Sequence, residues 1–449
     1  MIPASDKYDG QCLAVLGLGK SGVSAARLAK RLGAAVTVLD SGSGAALEKS
    51  AAELSTEDIS CMLGGAAEGC QEPFDLAVLS PGIDPQWPIA TALTGRGVRA
   101  IGEIEFAFQN TEIPIIAITG TNGKTTTTEL TAAILNEAGV KTVACGNYGI
   151  ALSAVVLEGL PLDVLTVEVS SFQLQLIETF RPRVAVWMNF AADHLDRHPT
   201  LEAYLAAKQR IFENQTAEDT AVLNAAEDYP TMKAQWVTFS SYVAGGDFGW
   251  KDGAIFCLGG EVVRLAETNL RGLHNAENIM AATAACRAWG VPFSTMHSTL
   301  SSYRPPRHRC ELAGVVDGRE FINDSKATNI HAMESALRGM TSKVVLIAGG
   351  KDKHLDYAPL RPLIMEQTTH VCTIGEIRHT LAECWAGTVP CRACESLEEA
   401  VRAAWEAATP GQNVLFAPGT SSFDMFTGYD HRGNVFTEIV HQLNNTTRP

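Results

Sequence analysis

Short apolar runs alternate with helical stretches along most of the chain. Cys12–Leu16 meets a Gly-rich turn, a helical pattern follows from Ser21 to Leu32, and a second apolar run, Ala35–Leu39, ends at Asp40. Strand–helix–strand order predicts parallel strands, because a parallel pair needs the crossover that a helix supplies. Leu76–Leu79 stops at the turn signal Ser80-Pro81-Gly82, and this first segment closes near Ile101. A second unit begins at Pro114 with strand Ile115–Ile118, a helix to about Ala138, and strands Val164–Val169 and Val184–Met188. The Gly-rich stretch 244–265 reads as short antiparallel strands, and helix His274–Trp289 follows with Gly290 as its stop. Pro305-Pro306 breaks the chain. A third unit then alternates again: strand Glu320–Ile322, a helix near Met333, and strands Lys343–Ile347, His370–Ile374 and Asn413–Phe416. The pattern predicts three α/β domains, 1–102, 103–305 and 306–449.

Composition narrows what these domains do. A formal charge of −15 repels a phosphate backbone and disfavours nucleic acid as a partner. Any anionic substrate must then meet a local cluster of Lys, Arg and backbone N–H groups. No stretch nears the ~20 apolar residues that span a bilayer, and the N-terminus has no signal-peptide pattern. The 11 cysteines are odd in number and scattered, which suits reduced thiols in a cytosol rather than a disulfide framework. Cys391 and Cys394 have CxxC spacing but no second pair, so they read as ordinary buried thiols.

Two Gly-rich loops carry candidate chemistry. Gly120-Thr121-Asn122-Gly123-Lys124-Thr125-Thr126 lies between a predicted strand and helix. Glycine lets backbone N–H groups approach a phosphate, the helix N-terminus supplies its dipole, Lys124 reaches the β/γ-phosphates, and the Thr125 hydroxyl binds Mg²⁺. The spacing departs from the usual GxxxxGK[ST], since Thr119 stands at its first glycine. The other loop, Gly17-Leu18-Gly19-Lys20-Ser21-Gly22, matches G-x-G-x-x-G, with Asp40 ending the next strand. Alone it spells an NAD-dependent oxidoreductase, but a UDP diphosphate makes the same demands of the helix N-terminus.

Further candidates sit at strand ends. Glu168 ends a buried strand and is placed to hold Mg²⁺. His194 follows another strand and reads equally as a cation ligand or a structural histidine. Lys208, between Tyr204 and Phe212 on a helix, reads on its own as a lysine snorkelling along an apolar face. Arg309, Asp324-Ser325-Lys326-Ala327-Thr328 and Gly349-Gly350-Lys351-Asp352-Lys353 bring basic groups to the carboxyl ends of two strands, where α/β proteins bind ligands.

Gly120–Thr126, the His194 segment, Lys208, Asn275–Asn278, Arg309 and Asp324–Thr328 together resemble the Mur ligases, over essentially the whole chain. Ser80-Pro81-Gly82-Ile83, Gly102-Glu103-Ile104-Glu105, Asn323–Asn329 and Arg432-Gly433-Asn434-Val435-Phe436 point, within that family, to addition of D-glutamate. The resemblance implies a Rossmann-like N-terminal domain, a central P-loop ATPase-like domain and a C-terminal Rossmann-like domain. It implies a cytoplasmic, monomeric, ATP-dependent ligase of peptidoglycan synthesis that joins D-glutamate to UDP-N-acetylmuramoyl-L-alanine through an acyl phosphate. The alternatives are a relative adding another amino acid and, on the Gly17–Gly22 loop, a dehydrogenase. Gly17, Gly19, Lys20, Ser21, Asp40, Asn147 and His194 would meet the UDP substrate. Gly120, Asn122, Gly123, Lys124, Thr125, Thr126, Asn278, Arg309 and Asp324 would hold ATP. Lys326, Thr328, Lys353, Ser422, Phe423 and Tyr429 would receive D-glutamate. Thr125, Glu168, His194 and Lys208, the last as a CO₂-derived carbamate, would ligate two Mg²⁺, with Lys124, His194 and Lys208 catalytic. The uracil contact of Lys20 and the Ser421-Ser422-Phe423 and Tyr429 stretches depart in detail from the family pattern.

Overall fold

A computed structural model describes residues 2, 5–193, 197–304, 307–340, 342–353 and 355–447. The predicted site residue His194 and the Pro305-Pro306 break lie outside the described residues. The chain folds into two compact units, one of Met1–Gly249, Cys257–Val262 and Asn278–Leu300, the other of Trp250–Phe256, Val263–Glu277 and Ser301–Pro449.

The first sheet is built from β1 (Cys12–Leu16), β2 (Ala35–Asp40), β3 (Ser60–Leu63), β4 (Leu76–Leu79) and β5 (Arg99–Gly102) in the order β3-β2-β1-β4-β5. Every neighbouring pair is parallel. The order reverses between β1 and β4, the kind of crevice where open α/β sheets take ligands.

The second sheet contains β6 (Ile115–Thr119), β7 (Ala144–Gly146), β8 (Leu165–Glu168), β9 (Val184–Trp187), β10 (Thr220–Asn224), β11 (Gln235–Ser240) and β12 (Phe248–Lys251). From β12 inward it runs β12-β11-β10-β9-β6-β8-β7. β6 is therefore central, with the exits of β8 and β9 on either side of its own. The residues of β6 are fully buried, as strands covered on both faces must be. In the predicted antiparallel stretch, β13 (Ala254–Cys257) and β14 (Gly260–Arg264) follow two-residue turns, Asp252-Gly253 and Leu258-Gly259. All four turn residues have positive φ, the geometry that reverses a strand tightly.

In the second unit, β15 (Glu311–Val316), β16 (Arg319–Asn323), β17 (Val344–Gly349), β18 (Thr368–Ile374), β19 (Cys391–Ala393) and β20 (Asn413–Phe416) form a sheet ordered β15-β16-β20-β17-β18-β19. The expected alternation is broken at its start. β15 pairs antiparallel with β16, bulged between Leu312 and Gly314. Its exposed Leu312 and Val315 blur the apolar signal, so only β16 is visible in the sequence. All eleven cysteines are free thiols.

Two carboxylates fasten the exit from the first sheet. Helix Glu103–Phe108 follows β5 directly. The buried Glu105 carboxylate accepts hydrogen bonds from Gln109 Nε2 (2.6 Å), the backbone N–H groups of Glu178, Thr179 and Phe180 (3.0, 2.9 and 2.9 Å) and the Thr179 hydroxyl (2.5 Å). Glu103 Oε1 accepts Ser153 N at 2.7 Å. Burial alone would push the Glu105 carboxyl up, but these donors outweigh it and hold the carboxyl below the usual range. Its contribution to stability is therefore full at neutral pH and is lost as pH falls through the acid range. Glu105→Ala strands several buried donors and should cost about 3 kcal/mol. Thermal unfolding at pH 7 checks this, and an unchanged Tm would contradict it.

Candidate active site

The phosphate-type loop leaves β6 at Thr119. Gly120 and Gly123 have φ of +150° and +82°. A Cβ at Gly120 would lie 2.7 Å from Met188 Cβ, and one at Gly123 would run into Asn278 Oδ1. Both positions thus require glycine twice over, by backbone angle and by space. Asn278, predicted to meet ATP, lies against the loop and accepts the Thr127 hydroxyl at 3.4 Å. The loop is also pinned to the segment after β9: Thr121 N donates to Asn189 O (2.9 Å), Asn122 N to Asn189 Oδ1 (2.8 Å) and Ala191 N to Thr121 Oγ1 (3.0 Å). Thr125 and Thr126 are buried in the first turn of helix Lys124–Glu137.

Two lysines converge on one oxygen. Lys124 Nζ donates to Gly120 O (2.9 Å) and Thr121 O (3.0 Å), and Lys208 Nζ donates to the same Gly120 O at 2.7 Å. Lys208 is 2% exposed, so the snorkelling reading of its sequence context is wrong. Its ammonium would lie inside, 4.9 Å from the Tyr204 ring centroid, instead of reaching water. Burial, then repulsion from Lys124, holds its amine well below the usual lysine range, against the pull of Asp193, Glu168 and Glu227.

Glu168 ends β8 beside β6 and is 3% exposed. Its Oε1 accepts Asn147 Nδ2 at 2.8 Å, and Asn147 N donates to Glu168 O at 2.8 Å. Its Oε2 is buried with no hydrogen-bond partner among the described residues.

The other Gly-rich loop opens onto a cavity of about 360 Å³. Gly17, Gly19, Lys20, Ser21 and Asp40 line it together with Ser80–Ile83 and Asn147. All six predicted UDP-site residues that are described therefore share one space. A Cβ at Gly22 would strike Gly17 O, which explains the third glycine of the motif. Asp40 supports the turn directly, accepting Leu18 N (2.7 Å) and Gly42 N (2.8 Å).

In the second unit, three loops leave adjacent strands β16, β20 and β17, bonded by Gly419 N to Ala327 O (2.8 Å), Gly349 N to Pro418 O (2.9 Å) and Lys351 N to Ser421 O (2.9 Å). Lys326 Nζ lies 3.6 Å from the Tyr429 ring centroid, and Lys353 Nζ donates to Thr328 O at 3.4 Å. Ser422 is buried and Phe423 is 66% exposed. Asp324 is buried and accepts Cys310 N at 3.2 Å. Burial pushes its carboxyl up to about 6, with Arg309 pulling the other way.

Sequence reasoning missed three supporting groups. Arg432, fully buried, donates to Ser325 Oγ and O, Thr420 O and Ser421 O at 2.9–3.2 Å, tying two of the three loops. His198 bonds Ser171 Oγ at 2.9 Å and stacks on Phe172. Glu227 accepts from Trp187 Nε1 at the end of β9 and from Phe190 N beyond it. Arg432 lies in a segment that carries the family resemblance but was given no role there, while His198 and Glu227 lie in no motif.

Three family descriptions match in succession: the N-terminal domain of MurD-like Mur ligases at residues 11–102, the Mur ligase middle domain at 118–286, and the Mur ligase glutamate ligase domain at 308–420. The chain belongs to the Mur ligase family. This Mur ligase is 39% identical to a UDP-N-acetylmuramoylalanine–D-glutamate ligase of Acidobacterium capsulatum, covering 96% of each chain. It is also 39% identical to the one of Geobacter metallireducens, covering 99% of this chain and 100% of the other. Among solved structures, the UDP-N-acetylmuramate–alanine ligase of Thermotoga maritima matches with a TM-score of 0.62 at 17% identity, covering 96% and 99% of the two chains. A pseudomurein peptide ligase of Methanothermus fervidus matches with a TM-score of 0.61 at 18% identity, covering 97% and 100%. These two share the three-domain fold.

The Asp324 carboxyl yields a signed test. Its folded pKa is raised, so between about pH 4 and pH 6 the native protein holds a proton that the unfolded chain has lost, and stability falls as pH rises through that window. Asp324→Asn should melt above the wild type at pH 8 and level with it at pH 4. Equal shifts at both pH values would show that ionisation there carries no cost.

Proposed function

We propose that this Mur ligase joins D-glutamate to UDP-N-acetylmuramoyl-L-alanine with ATP, in the cytoplasm, as a step of peptidoglycan precursor synthesis. The observation that carries the ATP half is the loop 120–126 with Lys124 and Lys208 on one carbonyl. The function of relatives about 39% identical over nearly the whole chain carries the choice of substrates.

The cavity beside Gly17–Gly22 takes the UDP moiety, and Asn147 leads from it toward Glu168. The terminal carboxylate of the substrate attacks the γ-phosphorus of ATP, the bond to the bridging oxygen breaks, and ADP leaves with that electron pair. Lys124 offsets charge that gathers on the transferred group. The amine of D-glutamate then attacks the acyl carbon, loses a proton, and expels phosphate. Lys326, Thr328, Lys353 and Ser422 receive its two carboxylates, with Phe423 and Tyr429 nearby; Asn278, Arg309 and Asp324 serve the nucleoside end of ATP.

The donors suit Mg²⁺. Glu168 Oε2 is buried without a hydrogen-bond partner among the described residues, and the Thr125 hydroxyl is the other hard oxygen donor, as that cation prefers. Glu168 and Thr125 would hold one ion, with His194 and Lys208 serving a second, and bound Mg²⁺ would neutralise phosphate charge. Lys208 fits a carbamate. Burial lowers its pKa well below the usual lysine range, which favours the neutral amine that attacks CO₂; an N–C bond forms, one proton leaves, and a side chain that repels metal when charged becomes an oxygen anion.

Phosphate release with ATP, Mg²⁺ and UDP-N-acetylmuramoyl-L-alanine should require D-glutamate and fail with L-glutamate, D-aspartate or lysine. Release with another of these would move the specificity and keep the chemistry. Lys208→Ala should be nearly inactive and regain part of its rate with a short added carboxylic acid. A fully active variant would remove the carbamate from the mechanism.

A further inference from the structure

Glu227 lies just beyond β10, in Asn224-Ala225-Ala226-Glu227, and no motif marks it. Its two carboxylate oxygens grip the end of β9 and the segment that follows it. Trp187 Nε1 donates to Oε2 at 2.5 Å, and Phe190 N donates to Oε1 at 2.5 Å. Asn224 helps, its Nδ2 donating to Met188 O at 2.9 Å. Between the gripped residues stands Asn189, which exchanges bonds with Asn122 in both directions: Asn122 N to Asn189 Oδ1 at 2.8 Å and Asn189 Nδ2 to Asn122 O at 3.2 Å. Asn189 O also accepts Thr121 N. Met188 Cβ is the atom that forbids a side chain at Gly120. The wall on which the phosphate loop leans is thus itself held from behind by one carboxylate.

We propose that Glu227 is a positioning residue for ATP: it fixes the 187–190 segment, which holds Thr121 and Asn122 by their own N–H groups, and so sets the rest of loop 120–126, with Lys124, for phosphate. The chain of contacts is short and continuous, and each link is a hydrogen bond with defined direction. Bonds to a carboxylate are the stronger kind, so losing both should be felt at the loop. This rests on loop 120–126 being the ATP site.

The test is direct ATP binding by calorimetry in the presence of Mg²⁺, which does not depend on the amino acid joined. Glu227→Ala should bind ATP about ten-fold more weakly. Its KM for ATP in phosphate release should rise alike, while KM for the UDP substrate stays put. A merely structural loss would lower kcat through a smaller folded fraction and leave KM for ATP unchanged. Glu227→Gln keeps one acceptor oxygen and should fall between wild type and alanine. Trp187→Phe removes one donor and should weaken binding less, and should add nothing on the Glu227→Ala background, because the two act through one bond. Wild-type ATP affinity in folded Glu227→Ala overturns the assignment. If that variant does not fold, wild-type affinity in both Glu227→Gln and Trp187→Phe overturns it. A wild-type chain that binds no ATP at all would overturn the reading of the loop, and this assignment with it.

Discussion

The Gly120 carbonyl oxygen accepts from two lysines at once, and the first unit is organised around that fact. Two ammonium groups in so small and dry a space repel each other. Lys208 is the deeper of the two, and burial, then repulsion from Lys124, lowers its pKa well below the usual lysine range. Two side chains of the same type are thereby made different by depth and by their mutual repulsion. The arrangement needs an oxygen turned outward by a residue at φ +150°, hard against Met188 and Asn189, and only glycine can stand there.

Strand order explains why many of the predicted ligand groups meet. In each sheet these come from loops at the carboxyl ends of neighbouring strands: after β1 and β4 in the first, after β6, β8 and β9 in the second, after β16, β20 and β17 in the third. In the first and third sheets these strands are far apart in sequence. Ser80–Ile83 joins Gly17–Gly22 because β4 lies beside β1, and Ser421 reaches Lys351 because β20 is inserted between β16 and β17.

That separation also sets what was legible beforehand. Gly17–Gly22 and Gly120–Thr126 were readable because strand, turn and helix follow one another within a few residues, so local geometry and motif coincide. The oxidoreductase reading of the first loop drew on the same geometry, since a tight βα turn serves any diphosphate. Lys208 was misread from its neighbours because burial there is imposed by β6 and Gly120, 88 residues away. β15 was missed because an edge strand leaves apolar residues in water and a bulge breaks its period. Arg432 and Glu105 lie in segments that carry the family resemblance, but their buried partners are mostly remote in sequence, so the segments did not reveal what the two side chains hold.

Arg432 shows how an acidic chain can still gather positive charge at the loops proposed to take D-glutamate. Its four acceptors, one hydroxyl and three carbonyls, are all neutral. Burial lowers its pKa only to about 10, so it stays charged at neutral pH. Neutral acceptors satisfy its N–H groups without cancelling its charge, which the nearby Asp424 and Asp324 carboxylates offset only in part. The loops carrying Lys326 and Ser422 are thus tied by a group that adds to their positive field. Lys326, set over the Tyr429 ring, extends the same field outward. A net charge of −15 spread over the chain does not compete with fixed cations at such short range, because exposed charges beyond about 8–10 Å are screened by salt while buried ones are not.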